Sequence, residues 1–407
     1  MSGRNGAAPC RVVMLLENNP YPRDIRVRNE AESLRAAGYE VTVIAPRGDG
    51  EPARETIAGV RVRRFRLPRE RHSAAGFLAE YAAAAVQLHL LGALELARGA
   101  RVVHLHNPPD ILFPLAFGAR VAGRRVVFDH HDLAPELAAE KFGEDSPYVR
   151  VLALFERLTI ASAHAVLSTN ESYRELAIGR GGADPESVRI VRNGPRASLL
   201  AGAGEPRRGV LDDPRIAFVG ELEPQDGVDD LPRLLALLRD RHGLAGASLT
   251  VIGSGSRAPA MRRALAELGL GERVRFTGYV PHARVFALLA DADVCVDPAP
   301  RGPLNDRSTM VKIGEYLAAG RPVVAYELLE TTRTAGGAAL YAAGGDIDAL
   351  AERIAWLARS PDERLALATR ARERATQLVW EHSERELLRA YALLDGRSGS
   401  TCSGAKR

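Results

Sequence analysis

The chain has 407 residues, of which 46% are hydrophobic, 5% aromatic and 26% charged. That length suits two domains of near 200 residues better than one, and the apolar share supports full-sized cores. The 55 basic and 51 acidic residues leave a net charge of only +4, which with so few aromatics argues against nucleic acid as a partner. The 3 cysteines, Cys10, Cys295 and Cys402, stand far apart, so neither a disulfide framework nor a cysteine zinc site is expected.

Strand-like and helix-like segments alternate from the start. Arg11–Leu16 reads as a strand, Ile25–Ala37 as a helix and Glu40–Ala45 as a strand. The run Val12–Leu16 is too short for a signal peptide. Val60–Phe65 (strand), Ala74–Ala97 (helix), Arg101–His104 (strand), Ile111–Val121 (helix) and Arg125–Phe128 (strand) follow. Ala74–Ala97 is long and alanine-rich, but Glu80, Gln87, His89 and Glu95 interrupt it, so it reads as a packed helix and not a membrane span. A helix at Tyr148–Ser162 and strands at Ala165–Ser168 and Val188–Val191 close the first half. Gly194–Pro214, rich in glycine and proline, reads as a linker. The pattern restarts with strands at Arg215–Val219, Leu249–Ile252, Val274–Phe276, Val294–Val296 and Val323–Ala325, with helices between them. Such alternation predicts two Rossmann-like, doubly wound parallel sheets, with ligands expected where strand C-termini and helix N-termini face a cleft.

One stretch carries a chemical pattern, DRSTMVKIGEYLAAGRPVVA at 306–325. Asp306, Ser308 and Thr309 read as caps of a helix start, an anion seat by virtue of its free N–H groups and partial positive charge. Lys312 and Glu315 are three residues apart and share a helix face. A seat of this kind suits a nucleoside diphosphate: amides and Lys312 for phosphates, Glu315 for ribose hydroxyls. The plainer alternative is a loop–helix–strand unit with a surface Lys–Glu pair. Asp291-Ala292-Asp293 is not read as a metal pair, because it precedes a strand where cleft ligands would follow one.

In shared order, DIRVRNEAESLRAAGYEVTVIAP at 24–46, VVHLHNPPD at 102–110, FDHHDLAPE at 128–136, RNGP at 192–195, FVGELEPQDGVDDL at 218–231, VIGSGS at 251–256, VRFTGYVP at 274–281 and the Lys-x-x-Glu-Tyr-x-x-x-Gly-x-Pro-Val-Val block at 312–324 resemble family 4 retaining glycosyltransferases of the GT-B fold, also called glycosyltransferase group 1. The resemblance covers nearly the whole chain. It implies an N-terminal acceptor-side domain over 1–198, a C-terminal nucleotide-sugar-binding domain over 199–376, a helix over 377–396 that crosses back, and a disordered tail over 397–407.

By resemblance, Glu315 would hold the ribose and Lys312 the diphosphate. Gly253 and Gly255 would let backbone approach phosphate or base, Tyr279 and Val280 would lie beside the nucleobase, and Arg307, Ser308 and Thr309 would border the donor. His131, followed by Asp132, matches the position that faces the donor sugar, although a histidine at a strand end is often only hydrogen-bonded structure. Asp24 and Arg28 border the N-terminal loop, where Asp24 reads first as a cap. Glu221 and Asp226 stand where the family often carries an arginine and a lysine that offset diphosphate charge. Arg307 stands where many members carry a glutamate that touches the sugar. Those departures, set in Gln225-Asp226-Gly227-Val228-Asp229 and Arg307-Ser308-Thr309, read as a coherent subgroup.

The implied reaction is sugar transfer with retention from a UDP or GDP sugar, which is the donor substrate, with no further cofactor and no metal. The acceptor is left open among a glycan, a lipid carrier and a small molecule of natural-product type. Arg61, Arg63, Arg64, Arg66, Arg69 and Arg71 suggest either a solvated strand face or peripheral contact with an anionic membrane. The expected place is the cytoplasm, on the membrane's cytoplasmic face if that contact forms. A non-catalytic nucleotide-sugar-binding or partner-binding member and a nucleotide-sugar epimerase are the alternatives.

Overall fold

A computed structural model describes residues 9–67, 74–108, 110–202 and 204–394. The chain divides into two compact units, one running to Arg192 and resuming at Ser383, the other Asn193–His382.

The first unit holds an eight-stranded sheet: β1 (Arg11–Leu15), β2 (Glu40–Pro46), β3 (Arg54–Ile57), β4 (Val60–Phe65), β5 (Val102–His106), β6 (Arg125–His130), β7 (Ala165–Ser168) and β8 (Val188–Ile190). Its order is β3-β4-β2-β1-β5-β6-β7-β8. Every neighbouring pair is parallel except the edge hairpin β3–β4. The central strands β1, β5, β6 and β7 are buried along both faces, as a sheet covered on each side by crossover helices requires. Asp24 caps the helix Ile25–Ala36 by accepting from the Val27 amide at 3.0 Å. The helix Ala74–Ala97 packs on β1 and β2. Among the described residues no helix is long and apolar enough to cross a membrane.

The second unit holds six parallel strands: β9 (Arg215–Val219), β10 (Ser248–Ile252), β11 (Val274–Phe276), β12 (Val294–Asp297), β13 (Val323–Tyr326) and β14 (Ala339–Ala342), ordered β11-β10-β9-β12-β13-β14. Period-2 alternation divides their side chains between two cores. Ile216, Phe218, Val294, Val296, Val324 and Tyr326 enter one, while Ala217, Val219, Cys295, Val323 and Ala325 enter the other. Both units are thus doubly wound α/β layers, as expected.

Four elements escape the sequence pattern. β3 and β14 have no clean alternation, and the helices Ala134–Phe142 and Glu171–Gly179 are short. The segment expected to be one capped helix start is instead a short helix, Pro303–Arg307, a break at Ser308–Met310, and a helix Val311–Ala318. Met310 occupies the cap position and no side chain caps the helix, so Asp306, Ser308 and Thr309 do not play the capping role. Pro303 seeds the first helix, and the extended backbone of Ser308 ends it. The second helix stops at Ala318, with Gly320 at φ 63° just beyond it.

Candidate functional site

In the second unit the polar chemistry gathers where the strand order reverses, between β9 and β12. These two strands pair only at Val294–Ile216 and Cys295–Ala217 and then part. The buried Tyr316 hydroxyl fills the gap, accepting from the Val219 amide at 2.8 Å and donating to the Val296 carbonyl at 3.1 Å. Those two hydrogen bonds fix helix Val311–Ala318 against both strand ends. The reversal point of an open α/β sheet is the place where ligands bind.

Lys312 and Glu315 both lie on this helix and both are buried, so they are not a surface pair. They also turn to different partners. Lys312 Nζ lies 2.6 Å from Asp226 Oδ1, 3.4 Å from Asp297 Oδ1 and 4.7 Å from the centre of the Phe218 ring. Asp226 follows β9 and Asp297 is the last residue of β12, so the ammonium bridges the two diverging strands. Burial pushes the Asp297 carboxyl up, and Lys312 opposes that shift. The same carboxylates raise the Lys312 ammonium against the lowering effect of burial. Glu315 Oε1 lies 2.8 Å from Nε2 of His282.

The glycines have a packing explanation. A Cβ at Gly253, whose φ is 141°, would come within 1.8 Å of the Gly220 carbonyl oxygen, and one at Gly255 within 2.5 Å of that of Leu222. The turns after β9 and β10 therefore lie backbone on backbone, joined by Gly220 N–H to Ile252 O and Leu222 N–H to Ser254 O, both 3.0 Å. Gly220 in turn lies against Lys312 and Asp226. The structure thus brings Gly253, Gly255 and Lys312 into one neighbourhood. Tyr279 is 79% exposed, an open aromatic face just past β11, whereas Val280 leans on the core. Arg307 donates to the Pro303 carbonyl at 3.0 Å, and Ser308 and Thr309 form the break between helices. Asp293 receives the Arg207 guanidinium and the Arg215 amide, a fastening of the chain entering β9.

The first unit carries a second polar centre at its own reversal, between β1 and β5. His130 and His131, adjacent in sequence, point to opposite sides, as strand neighbours do. His130 joins Glu156, at 2.9 Å, and through it Arg180 and Glu136, a buried structural network. His131 Nδ1 lies 3.0 Å from Asp129 Oδ2. Asp129, fully buried, takes two parallel bonds from Arg26, at 2.7 and 2.5 Å, and Arg26 also donates to the Val191 carbonyl. Asn107 holds the turn itself, its Oδ1 accepting from the amides of His131 and Asp132 at 2.8 and 3.1 Å.

Behind these lie Glu30, His104 and His106. The ligand atoms of Glu30, His104, His106 and Asp129 fall within 4.8 Å of one another, a spacing that a metal could bring together. The Arg26 guanidinium already supplies the positive charge there, spanning Asp129 and lying 3.4 Å from Glu30. Tyr391, in the final helix Trp380–Leu394, closes the cluster with its hydroxyl 2.9 Å from His104 Nδ1.

Burial would lower the His131 imidazolium, but Asp129 outweighs it and holds the group up at about 9. Asp129 lies well below the usual carboxylate range: burial works against this, and Arg26 and His131 override it.

Sequence reasoning singled out His131, Lys312 and Glu315 but not their supports. Asp297, Tyr316 and His282 come from separate segments with no fixed spacing. Arg26 and Glu30, four apart on a helix, and His104 and His106, two apart on a strand, are signals that could have been read. Of the N-terminal arginines, Arg61 bonds Thr42 and Glu40, Arg63 pairs with Glu95, and Arg64 pairs with Glu51 and Glu55. Arg69 and Arg71 lie outside the described residues.

Doubly wound units with polar residues at the sheet reversals occur in the glycosyltransferase class known as GT-B, and the family comparisons point to that class. Residues 24–194 match the glycosyl transferase 4-like domain and residues 213–360 match glycosyl transferases group 1. The chain belongs to this glycosyltransferase family. A D-inositol 3-phosphate glycosyltransferase from Thermomonospora curvata is 30% identical over 278 residues, 63% of each chain. A GDP-mannose-dependent alpha-(1-6)-phosphatidylinositol monomannoside mannosyltransferase from Mycolicibacterium smegmatis is 28% identical over 406 residues, 94% of this chain and 98% of that one. The sucrose-phosphate synthase of Thermosynechococcus elongatus superposes with a TM-score of 0.67 at 20% identity, covering 96% of this chain and 100% of its own, which is a likeness of fold. The alignments span 63%, 59% and 61% of the lengths of three inositol-phosphate glycosyltransferase relatives.

Two outcomes follow from the geometry. Tyr316→Phe leaves the Val219 amide and the Val296 carbonyl buried without a partner, so urea unfolding should show a loss of about 1–3 kcal/mol. His131, whose ordinary value is near 6.5, should add stability in full below about pH 6.5 and lose that contribution as pH rises through about 9. The stability gap between wild type and His131→Asn, followed by urea unfolding from pH 6 to 9.5, should close across that window. A gap that stays constant would mean that His131 is not held charged.

Proposed function

We propose that this chain transfers a sugar from a UDP or GDP sugar to a glycan, lipid-linked or small-molecule acceptor, with retention of configuration and without a metal. The observation that carries this reading is the placement of Lys312 and Glu315, buried on a helix fixed to both strand ends at the reversal of the C-terminal sheet. The GDP-mannose named for the mycobacterial relative supports a nucleoside diphosphate sugar as donor.

On this reading the Lys312 ammonium meets the diphosphate and stabilises charge as it leaves. Glu315, steadied by His282, accepts from the ribose hydroxyls. Gly253 and Gly255 keep the neighbouring turns thin, and the exposed ring of Tyr279, with Val280 behind it, offers a face for the base. Arg307, Ser308 and Thr309 border the same helix start. His131, charged and held by Asp129, is by the family resemblance the first unit's candidate for contact with the donor sugar. Metal independence is supported by the occupancy of the seat: Lys312 already sits between Asp226 and Asp297, where a divalent cation would otherwise stand. Retention needs no pair of catalytic carboxylates here, because a departing phosphate oxygen can take the acceptor's proton while the acceptor attacks on the same face of an oxocarbenium-like centre. The acceptor side is assigned to the N-terminal domain. With Arg61, Arg63 and Arg64 committed to carboxylates or a hydroxyl within their own unit, membrane contact through this stretch rests on Arg66, Arg69 and Arg71.

Lys312→Ala and Glu315→Ala should each lower donor affinity or turnover by about tenfold or more. The check is release of nucleoside diphosphate from a panel of UDP, GDP, ADP and dTDP sugars, with and without EDTA, together with thermal shift by the free nucleotides. EDTA-insensitive release from one donor supports the reading. Wild-type behaviour in both variants sinks the site assignment. An absence of both release and thermal shift sinks the function.

A further inference from the structure

The partner of Lys312 is itself unusual. A cation meant for a diphosphate is expected to lie among other cations or open amides, yet here it is held at 2.6 Å by Asp226 and approached by Asp297. The ammonium at the seat is therefore already met by a carboxylate before any ligand arrives, and an incoming diphosphate must compete with it for the same group. In a buried setting this competition is strong, because little water screens the pair.

The two carboxylates are not equivalent. Asp297 ends β12 and is 1% exposed, whereas the Asp226 side chain retains 16% exposure. Asp226 sits on a turn whose backbone is firmly held. Gly227 has a φ of 69°, and a Cβ there would fall 1.8 Å from the Pro298 carbonyl oxygen. Buried Asn305 donates to the carbonyls of Gln225 and Pro300, both at 2.8 Å, tying the turn to the segment after β12. Gly220 makes room for the pair, since a Cβ there would crowd Lys312 and Asp226 at 3.1–3.4 Å. The backbone is fixed and the side chain reaches solvent, so rotation of one side chain suffices to release the lysine. Asp297 then remains to hold the ammonium in place.

We propose that Asp226 is an exchangeable counter-charge that sets donor affinity: it occupies Lys312 in the empty seat and is displaced when the nucleoside diphosphate binds. This rests on the reading of Lys312 as the diphosphate contact. Its consequence runs against the usual effect of removing a binding-site residue, because the variant should bind more tightly. A seat neutralised in this way would also let go of the product diphosphate more readily.

The test is calorimetric titration of UDP and GDP into the full chain as wild type, Asp226→Asn, Lys312→Ala and the double variant, with Asp226→Ser as a second replacement should the asparagine variant not fold. Asp226→Asn should tighten whichever nucleotide binds by about tenfold, as expected for release of a close charge pair, and the gain should vanish in the Lys312→Ala background. Equal or weaker binding by Asp226→Asn, alongside weaker binding by Lys312→Ala, would overturn the proposal while leaving the donor seat intact; Asp226 would then be positioning the lysine. A gain that persists without Lys312 would also overturn it, as a general charge effect. If none of the variants and neither nucleotide shows binding, the donor-seat reading falls as well.

Discussion

The hydroxyl of Tyr316 stands where β9 and β12 stop sharing hydrogen bonds, and the second unit's candidate site depends on it. Two parallel strands that diverge leave a backbone amide and carbonyl without partners, and in a buried sheet such groups cannot be left unsatisfied. One phenol that both accepts and donates resolves this. The solution also has a directional consequence. It fixes the helix that carries Tyr316, and with it Lys312 one turn earlier and Glu315 beside it. The place at which the sheet is weakest as a sheet is therefore the place at which its side chains are most firmly set.

The first unit meets the same constraint with different residues. Its strands also end in polar groups that cannot be solvated, and the Arg26 guanidinium gathers them, spanning Asp129 and reaching the Val191 carbonyl. Parallel sheets covered on both faces have no other outlet for polar chemistry, because every position along a strand faces a core. His106, Asp129 and His131 lie at strand ends for this reason, with His104 one strand repeat deeper, and those buried deepest serve as support for the one nearest the surface.

These physical terms separate what was legible in the sequence from what was not. Strand and helix alternation reports burial, so the paired sheets could be read from apolar runs such as Arg215–Val219 and Val323–Ala325. The edge strand Arg54–Ile57 could not, because an edge need not be apolar on both faces. Lys312 and Glu315 were legible through helical spacing, a local property. Their partners were not, since Asp226 on a turn, Asp297 at the end of β12 and His282 at a helix start reach them from separate segments whose positions depend on the complete sheet. The capping role expected of Asp306, Ser308 and Thr309 failed for a related reason. A helix start can be read from polar residues, but Pro303 begins a separate short helix ahead of them and uses up the stretch that would have capped the longer one. His130 and His131 look equivalent in sequence, and only strand alternation assigns one to a structural network and the other to the candidate site.

The two basic side chains at the sheet reversals differ in a way that bears on function. Arg26 is enclosed, and its carboxylate partner is fully buried. A guanidinium with two parallel bonds has no ready route to exchange, because breaking it would strand a charge in the core. Lys312 is a compact ammonium whose nearest partner still reaches solvent. An ammonium can trade one oxygen for another without a set geometry, whereas a bidentate arginine cannot. One pair is therefore a fixed part of the scaffold that holds His131, and the other is the contact that the proposed exchange at Asp226 would open. Under the proposed function the two pairs would divide the work: one a rigid frame for the groups beside it, the other a leaving-group seat that does not retain its product.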